Sequence, residues 1–173
     1  MSARSKLGLA VWAGAGCVLM LLASRETIAP RLLFNTTASA PIGFYTLHPG
    51  APRVGEWVAI KPPARLAFWM ARRHYLPANV PLLKRVAARH GQEVCGRSDG
   101  LWIDGQMVAR MRRTDRWGRG LPAYSGCHRL TAAEVLIVNR NAADSLDSRY
   151  FGPLPVRGII GRARPLWTWD ARP

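Results

Sequence analysis

The chain has 173 residues, a length that predicts one domain with its own hydrophobic core. Its formal net charge is +15, with 25 lysines and arginines against 10 acidic residues. The chain is therefore not an acidic protein, and nucleic acid and lipid are candidate partners. The sequence carries no phosphate-binding glycine motif, dinucleotide fingerprint or paired histidine spacing, so we expect neither a cofactor nor a metal.

The first predicted element is the apolar segment Leu7–Ala23, with Arg4 and Lys6 before it. Its length is just sufficient for a membrane span of about 20 residues. We expect residues 1–24 to form one N-terminal transmembrane helix in the inner (cytoplasmic) membrane, and residues 25–173 to form a domain in the periplasm. A cleaved signal peptide is the alternative, because Leu22-Ala23-Ser24 offers small residues at a cleavage site.

Beyond the anchor, short apolar runs alternate with glycine and proline, which is typical of β structure. We therefore predict a mostly β, single compact domain, with one short helix over Leu66–Arg73 and a hairpin turn at Asp104-Gly105. A single turn is predicted at Thr131-Ala132-Ala133-Glu134. The predicted strands span residues 44–47, 57–60, 82–88, 101–103, 107–110, 135–138 and 159–165.

A basic stretch between residues 110 and 119 contains five arginines around Trp117. Basic, aromatic-bearing segments can bind nucleic acid. A domain outside the cytoplasm, however, meets anionic lipid headgroups, where each basic residue gains about 1 kcal/mol. We therefore expect membrane lipid as a partner and no nucleic acid, with this stretch facing solvent, the membrane or the substrate.

Two cysteines, Cys95 and Cys127, lie outside the apolar segment, which itself contains Cys17. An even pair of cysteines in an oxidising compartment predicts a disulfide bond. Two buried free thiols are the alternative, and the membrane anchor favours the disulfide.

A serine and a lysine carry the strongest chemical signal. Among the three lysines, Lys6 flanks the anchor, Lys61 precedes two prolines, and Lys84 lies in the apolar run at 81–86. Arginine cannot be deprotonated in a protein, whereas burial can lower the pKa of a lysine until it acts as a base. Ser39 needs such a base to become a nucleophile. The alternative for Lys84 is a strand lysine whose amine reaches solvent.

Several segments, in chain order, resemble the type I signal peptidase family, the serine/lysine proteases of bacterial membranes. They are the N-terminal span, Ser39-Ala40-Pro41, Gly55-Glu56-Trp57-Val58, Lys84-Arg85-Val86 and Ser145-Leu146-Asp147-Ser148-Arg149. Ala40 and Glu56 depart from the family pattern, which usually has Met and Asp there. The small size and the pattern Asn35…Ser39…Pro41…Gly43…Tyr45 are most similar to the peptidases of conjugative transfer systems, which mature a pilin subunit.

The resemblance implies a signal-peptidase-like β domain and a role for each matched polar residue. Ser39 would be the nucleophile and Lys84 the general base, with the Ser39 N–H and the Thr37 hydroxyl forming the oxyanion hole. Ser145 would orient the amine of Lys84. Asp147 would pair with Arg149 or Arg85 to hold that wall of the site.

The expected function is a membrane-anchored serine endopeptidase that cleaves an exported precursor after small residues. Its protein substrate would be a pilin or another exported precursor, and the acyl group on Ser39 would pass to water or to the pilin's own N-terminus, giving a linear or a circular product. The alternative is a non-catalytic, membrane-anchored component of a secretion or conjugation apparatus, which would need neither Ser39 nor Lys84.

Overall fold

The computed structural model describes residues 31–169, together with Trp12, Gly14 and Gly16. Apart from those three positions, the predicted anchor at residues 1–24 lies outside the described residues. Within the described part of the chain, no helix is both long and apolar enough to span a membrane.

Residues 31–169 form eleven strands and two α-helices. Helix α1 spans Ala64–Arg72 and helix α2 spans Ser148–Phe151, and a 3₁₀ turn covers Val156–Gly158. The strands are β1 (Leu32–Asn35), β2 (Ile42–His48), β3 (Trp57–Ile60), β4 (Leu82–Ala88), β5 (Glu93–Arg97), β6 (Gly100–Ile103), β7 (Gln106–Arg110), β8 (Gly126–Arg129), β9 (Glu134–Ile137), β10 (Leu154–Pro155) and β11 (Ile159–Trp169).

The strands form two antiparallel sheets. The larger sheet has the order β1-β2-β11-β3-β4-β9-β10, and the smaller sheet has the order β7-β6-β5-β8. This arrangement confirms the predicted mostly β domain. The order also separates β2 from β4 by two strands, β11 and β3, so the segments that carry Ser39 and Lys84 are not neighbours in the sheet.

Strand β4 is the centre of the hydrophobic core. All of its residues except Arg85 are buried, so both of its faces are covered. Leu82 and Val86 pack with β3, β9 and Met70 of α1, whereas Ala87 and Ala88 pack against the smaller sheet. A strand covered on both faces has a nearly continuous apolar sequence. For this reason the sequence predicted the bounds of β4 correctly.

The other predictions differ from the structure mainly at the domain edges. The predicted strand at 57–60 and the helix near 66–73 are present, the helix as α1. Strands β1, β5, β8 and β10 were not predicted, because they are short, exposed or interrupted by polar residues.

The Asp104-Gly105 hairpin is confirmed: both residues have positive φ, as a two-residue type I′ turn requires. Thr131–Glu134 forms the predicted single turn, with the Glu134 carboxylate accepting from the Thr131 N–H.

The smaller sheet contains the predicted disulfide bond. Cys95 on β5 and Cys127 on β8 lie directly opposite each other and are joined, at a sequence separation of 32 residues. The bond closes the segment that includes the arginine-rich stretch. That stretch packs against the segment after α1, because Asp115 accepts a hydrogen bond from Tyr75 and Arg73 donates to the Gly120 carbonyl.

Candidate active site

Ser39 lies in the loop that joins β1 to β2, and the buried side chain of Asn35 builds this loop. The Asn35 carboxamide donates to the carbonyl oxygens of Thr37, Ala40 and Pro41 at 2.9, 3.2 and 3.0 Å. Its oxygen accepts from the Thr37 N–H at 3.2 Å and from the Thr37 hydroxyl at 2.9 Å. One side chain therefore satisfies four polar backbone groups of a loop that has no strand partner.

Lys84 lies in the middle of β4, with its side chain directed into the protein. Its amine contacts the Ser39 hydroxyl at 2.9 Å and the Ser145 hydroxyl at 2.8 Å. Lys84 is only 4 % exposed, so the alternative in which its amine reaches solvent is wrong. The structure thus brings together the serine, the lysine and the second serine that the sequence singled out.

Burial lowers the pKa of Lys84 from 10.5 to about 8, because the ammonium loses its hydration. The negative charge of Asp147 opposes this effect, and the positive charge of Arg149 adds to it. With a pKa of about 8, roughly one-tenth of the amine is neutral at pH 7. A neutral amine at hydrogen-bond distance from a serine hydroxyl can accept its proton.

Behind Lys84, Asp147 and Arg149 form a buried ion pair. Arg149 Nε and Nη2 contact the two Asp147 oxygens at 2.8 and 3.0 Å, and both side chains are almost completely buried. Arg149 also donates to the carbonyl oxygens of Asn139 and Ala142, and Asp147 accepts from the Asn139 N–H. The pair therefore fixes the loop between β9 and α2, which also carries Ser145.

Arg85, the other partner considered for Asp147, does not contact it. Successive side chains of a strand point to opposite faces, so Arg85 is exposed where Lys84 is buried. Its guanidinium donates to the Gly55 carbonyl at 2.6 Å and stacks over the Trp57 ring at 4.2 Å. Of the two partners that the sequence offered for Asp147, the structure therefore has Arg149 and not Arg85.

The Thr37 hydroxyl lies beside Ser39, 3.4 Å from the Ser39 hydroxyl. In the structure its proton is donated to the Asn35 carboxamide. Among residues 31–169, the Ser39 N–H donates to no other group. The predicted oxyanion donors are thus adjacent, but the Thr37 hydroxyl would have to rotate away from Asn35 to serve as one.

A cleft of about 540 Å³ opens beside Ser39. The loop at 38–41 and the segments 54–57, 85–87 and 138–142 contribute its lining. Ser39 is at its wall, whereas Lys84 lies behind it. In the part of the chain that the structure describes, no cluster of histidine, cysteine or acidic residues could hold a metal ion.

Two buried asparagines belong to the site, although the sequence patterns assigned them no role. Asn35 was visible only as the first member of the pattern around Ser39. Asn139 donates to the Ser39 carbonyl at 2.6 Å and accepts from the Arg85 N–H at 3.0 Å. An asparagine that directly follows an apolar strand is a signal that the sequence does contain at Asn139. The partners of that side chain, however, are set by tertiary contacts.

Comparison with known proteins gives one family. The family model described as "Signal peptidase, peptidase S26" matches residues 8–169. "Plasmid transfer protein TraF" of Escherichia coli is 31% identical over 179 aligned residues, covering 98% of this chain and 100% of the relative. "Conjugal transfer protein TraF" of Agrobacterium fabrum (strain C58 / ATCC 33970) is 34% identical over 149 residues, covering 79% and 82%.

Solved structures include a signal peptidase I from Enterococcus faecalis V583 that resembles this chain with a TM-score of 0.41 and 18% identity. The match covers 66% of this chain and 98% of the other.

Proposed function

Because the chain belongs to the signal peptidase family, peptidase S26, we propose that it is a membrane-anchored serine endopeptidase with Ser39 as nucleophile and Lys84 as general base. The observation that carries the proposal is the buried Lys84 amine, 2.9 Å from the Ser39 hydroxyl, with a pKa lowered to about 8. A non-catalytic scaffold would not need a lysine buried against a serine.

The contacts support a role for each group in the proposed reaction. Neutral Lys84 takes the proton of the Ser39 hydroxyl while Oγ attacks the carbonyl carbon of the scissile bond. The resulting oxyanion accepts from the Ser39 N–H and the rotated Thr37 hydroxyl, and one such donor is typically worth about 3 kcal/mol of barrier. When the C–N bond breaks, the Lys84 ammonium returns the proton to the leaving amine. The acyl group remains on Ser39 as an ester.

Ser145 and the ion pair behind it would orient the base. The Ser145 hydroxyl lies 2.8 Å from the Lys84 amine, opposite the contact with Ser39, and Ser145 is buried. With the amine neutral, its lone pair is needed for the Ser39 proton, so its own N–H groups donate to Ser145. Asp147 and Arg149 fix the loop that presents Ser145.

The surface at β1 and the end of β11 supports membrane lipid as a partner. Several apolar side chains are exposed there: Leu32, Phe34, Leu166, Trp167 and Trp169. Clustered exposed apolar side chains mark an interaction surface, and tryptophan favours the membrane interface. The predicted anchor ends shortly before β1, so the same edge of the domain would face the bilayer. The disulfide bond supports a periplasmic location, because such bonds persist in oxidising compartments.

For the substrate, we propose a pilin precursor of a conjugative transfer system. The relatives named as transfer proteins support a role in conjugation. An ester on Ser39 can be attacked by water or by an amine held nearby, since proximity confers a large effective molarity. The pilin's own N-terminal amine is such a nucleophile, and its attack would give a circular product.

Co-expression with a conjugative pilin precursor, followed by intact-mass measurement, tests the proposal. The wild-type chain should shorten the precursor, and the Ser39→Ala chain should leave it intact. A circular product is one water lighter than the linear product of the same residues. A linear product with a free N-terminus would reject cyclisation alone. Processing by folded Ser39→Ala protein would reject the peptidase assignment and favour a non-catalytic role.

A further inference from the structure

Strand β4 has an open edge beside Lys84. On one side, Leu82–Arg85 pair with β3. On the other side, β9 pairs with β4 only at Val86 and Ala88. The Leu83 carbonyl and the Arg85 N–H face this second side, where no strand is paired with them, so these two polar groups need other partners.

The side chain of Asn139 supplies both partners. Its carboxamide oxygen accepts from the Arg85 N–H at 3.0 Å, and its nitrogen donates to the Leu83 carbonyl at 3.4 Å. The N–H of one residue and the C=O two positions earlier are the groups that a single residue of a parallel partner strand would engage. Asn139 therefore acts as a one-residue strand partner opposite Lys84.

The same carboxamide also holds the nucleophile loop. Its nitrogen donates to the Ser39 carbonyl at 2.6 Å. One planar amide thus joins the backbone of the residue proposed as nucleophile to the two residues that flank the proposed base. β2 and β4 are separated by two strands, so the sheet itself does not set the distance between Ser39 and Lys84.

Asn139 is itself held firmly in place. Its N–H donates to Asp147 Oδ2 at 3.0 Å, and its carbonyl accepts from Arg149 Nη2 at 2.9 Å. Asn139 is 4 % exposed, so water does not compete strongly for these bonds. The buried ion pair, the strand with the lysine and the loop with the serine therefore meet at one residue.

From these contacts we infer that Asn139 is a positioning residue, which sets the register of the Ser39 hydroxyl against the Lys84 amine. The inference rests on the proposed function for its effect on turnover. Its effect on the surroundings of Lys84 does not depend on that function. Without the amide, the backbone of the loop at 36–41 loses its hydrogen bond at Ser39, and only the Ser39–Lys84 contact and the packing of Ala40 in the core remain to hold the loop against β4.

The test compares full-length Asn139→Ala and Asn139→Asp proteins with the wild type, using a conjugative pilin precursor as substrate. A displacement of reacting groups by about 1 Å can cost about 10²-fold in rate. We expect kcat to fall about 10²-fold for Asn139→Ala, with KM changed less than about threefold. Asn139→Asp keeps the side-chain shape and the acceptor for Arg85, loses both donated bonds, and should lose at least about tenfold in kcat.

A second measurement does not need turnover. Because the chain has only three lysines, Lys6, Lys61 and Lys84, isotope-labelled lysine gives an NMR spectrum in which the Lys84 amine can be titrated alone. Its pKa should rise from about 8 in both variants. In Asn139→Ala water reaches the amine, and in Asn139→Asp a negative charge joins that of Asp147. The uncharged variant Asn139→Ala is the diagnostic one, because loss of a residue that only stabilises the fold would not move this pKa in folded protein.

Asn79→Ala is the matched control, because Asn79 is exposed in the turn before β4. This substitution should change neither kcat nor the pKa of Lys84. Should Asn139→Ala fail to fold, the kcat of the isosteric Asn139→Asp protein carries the test. The inference is overturned if folded variant protein keeps kcat within about twofold of wild type, or keeps the wild-type pKa of Lys84. If the wild type processes no precursor, the proposed function fails, and the titration still decides the role of Asn139.

Discussion

Replacing Lys84 by methionine should change the pH dependence of folding stability. In the folded protein the pKa of Lys84 is lowered from 10.5 to about 8 by burial. Each pKa unit corresponds to about 1.4 kcal/mol, so the buried ammonium costs the folded state about 3 kcal/mol at pH 7, where both states are protonated. Methionine has a similar length and no charge, so the variant avoids this cost.

The direction of the effect follows from proton binding. Between about pH 8 and pH 10.5 the unfolded chain holds the Lys84 proton and the folded protein does not. The stability of the wild type therefore rises with pH across this range, whereas the variant has no such contribution. We expect the variant's free energy of unfolding, relative to wild type, to fall by about 2–3 kcal/mol from pH 7 to pH 10.

Urea unfolding of the full-length proteins in nonionic detergent, followed by tryptophan fluorescence, measures this change. Loss of the contacts with Ser39 and Ser145 also changes the difference in unfolding free energy between the two proteins by about 1–3 kcal/mol, but this contribution is the same at both pH values. All other titratable groups are common to both proteins, so the difference between the two proteins isolates Lys84. Lys61→Met, at an exposed lysine, should give a difference that does not vary with pH. A constant difference for Lys84→Met would refute the assignment of a destabilised ammonium.

Four further predictions concern the site and the fold that supports it. Peptidase activity should rise with pH through about 8, since only neutral Lys84 can accept the serine proton, and an activity that is flat from pH 6 to pH 10 would contradict this. Lys84→Arg should abolish precursor processing, as measured by intact mass, because arginine stays protonated. Arg149→Met should lower the free energy of unfolding, measured with urea, by about 3–5 kcal/mol, because the substitution leaves Asp147 buried and unpaired. Alkylation without reductant should modify neither Cys95 nor Cys127 in periplasmic material, and two modified thiols would refute the bond there.

The sequence by itself determined the elements that lie in the core and the residue types that carry chemistry. β4 could be predicted because a strand covered on both faces must be apolar throughout, and the single lysine within it was conspicuous for the same reason. Ser39 could be predicted together with Lys84 from the chemistry of the two residue types, and Ser145 and Asp147 only through the resemblance of their segment to the signal peptidase family. The short edge strands β1 and β8 could not, because exposed strands need no apolar pattern, and β10 has only two residues, too few to form a pattern.

Only the tertiary structure decided which groups meet. Asp147 could have paired with Arg85 or Arg149, and strand alternation together with burial selects Arg149. The hydrogen bonds of Asn139 join segments that lie 54 and 100 residues away in the chain, so no local pattern could reveal them. A lysine becomes a base only when it loses its hydration, and that loss depends on atoms brought together from the whole fold.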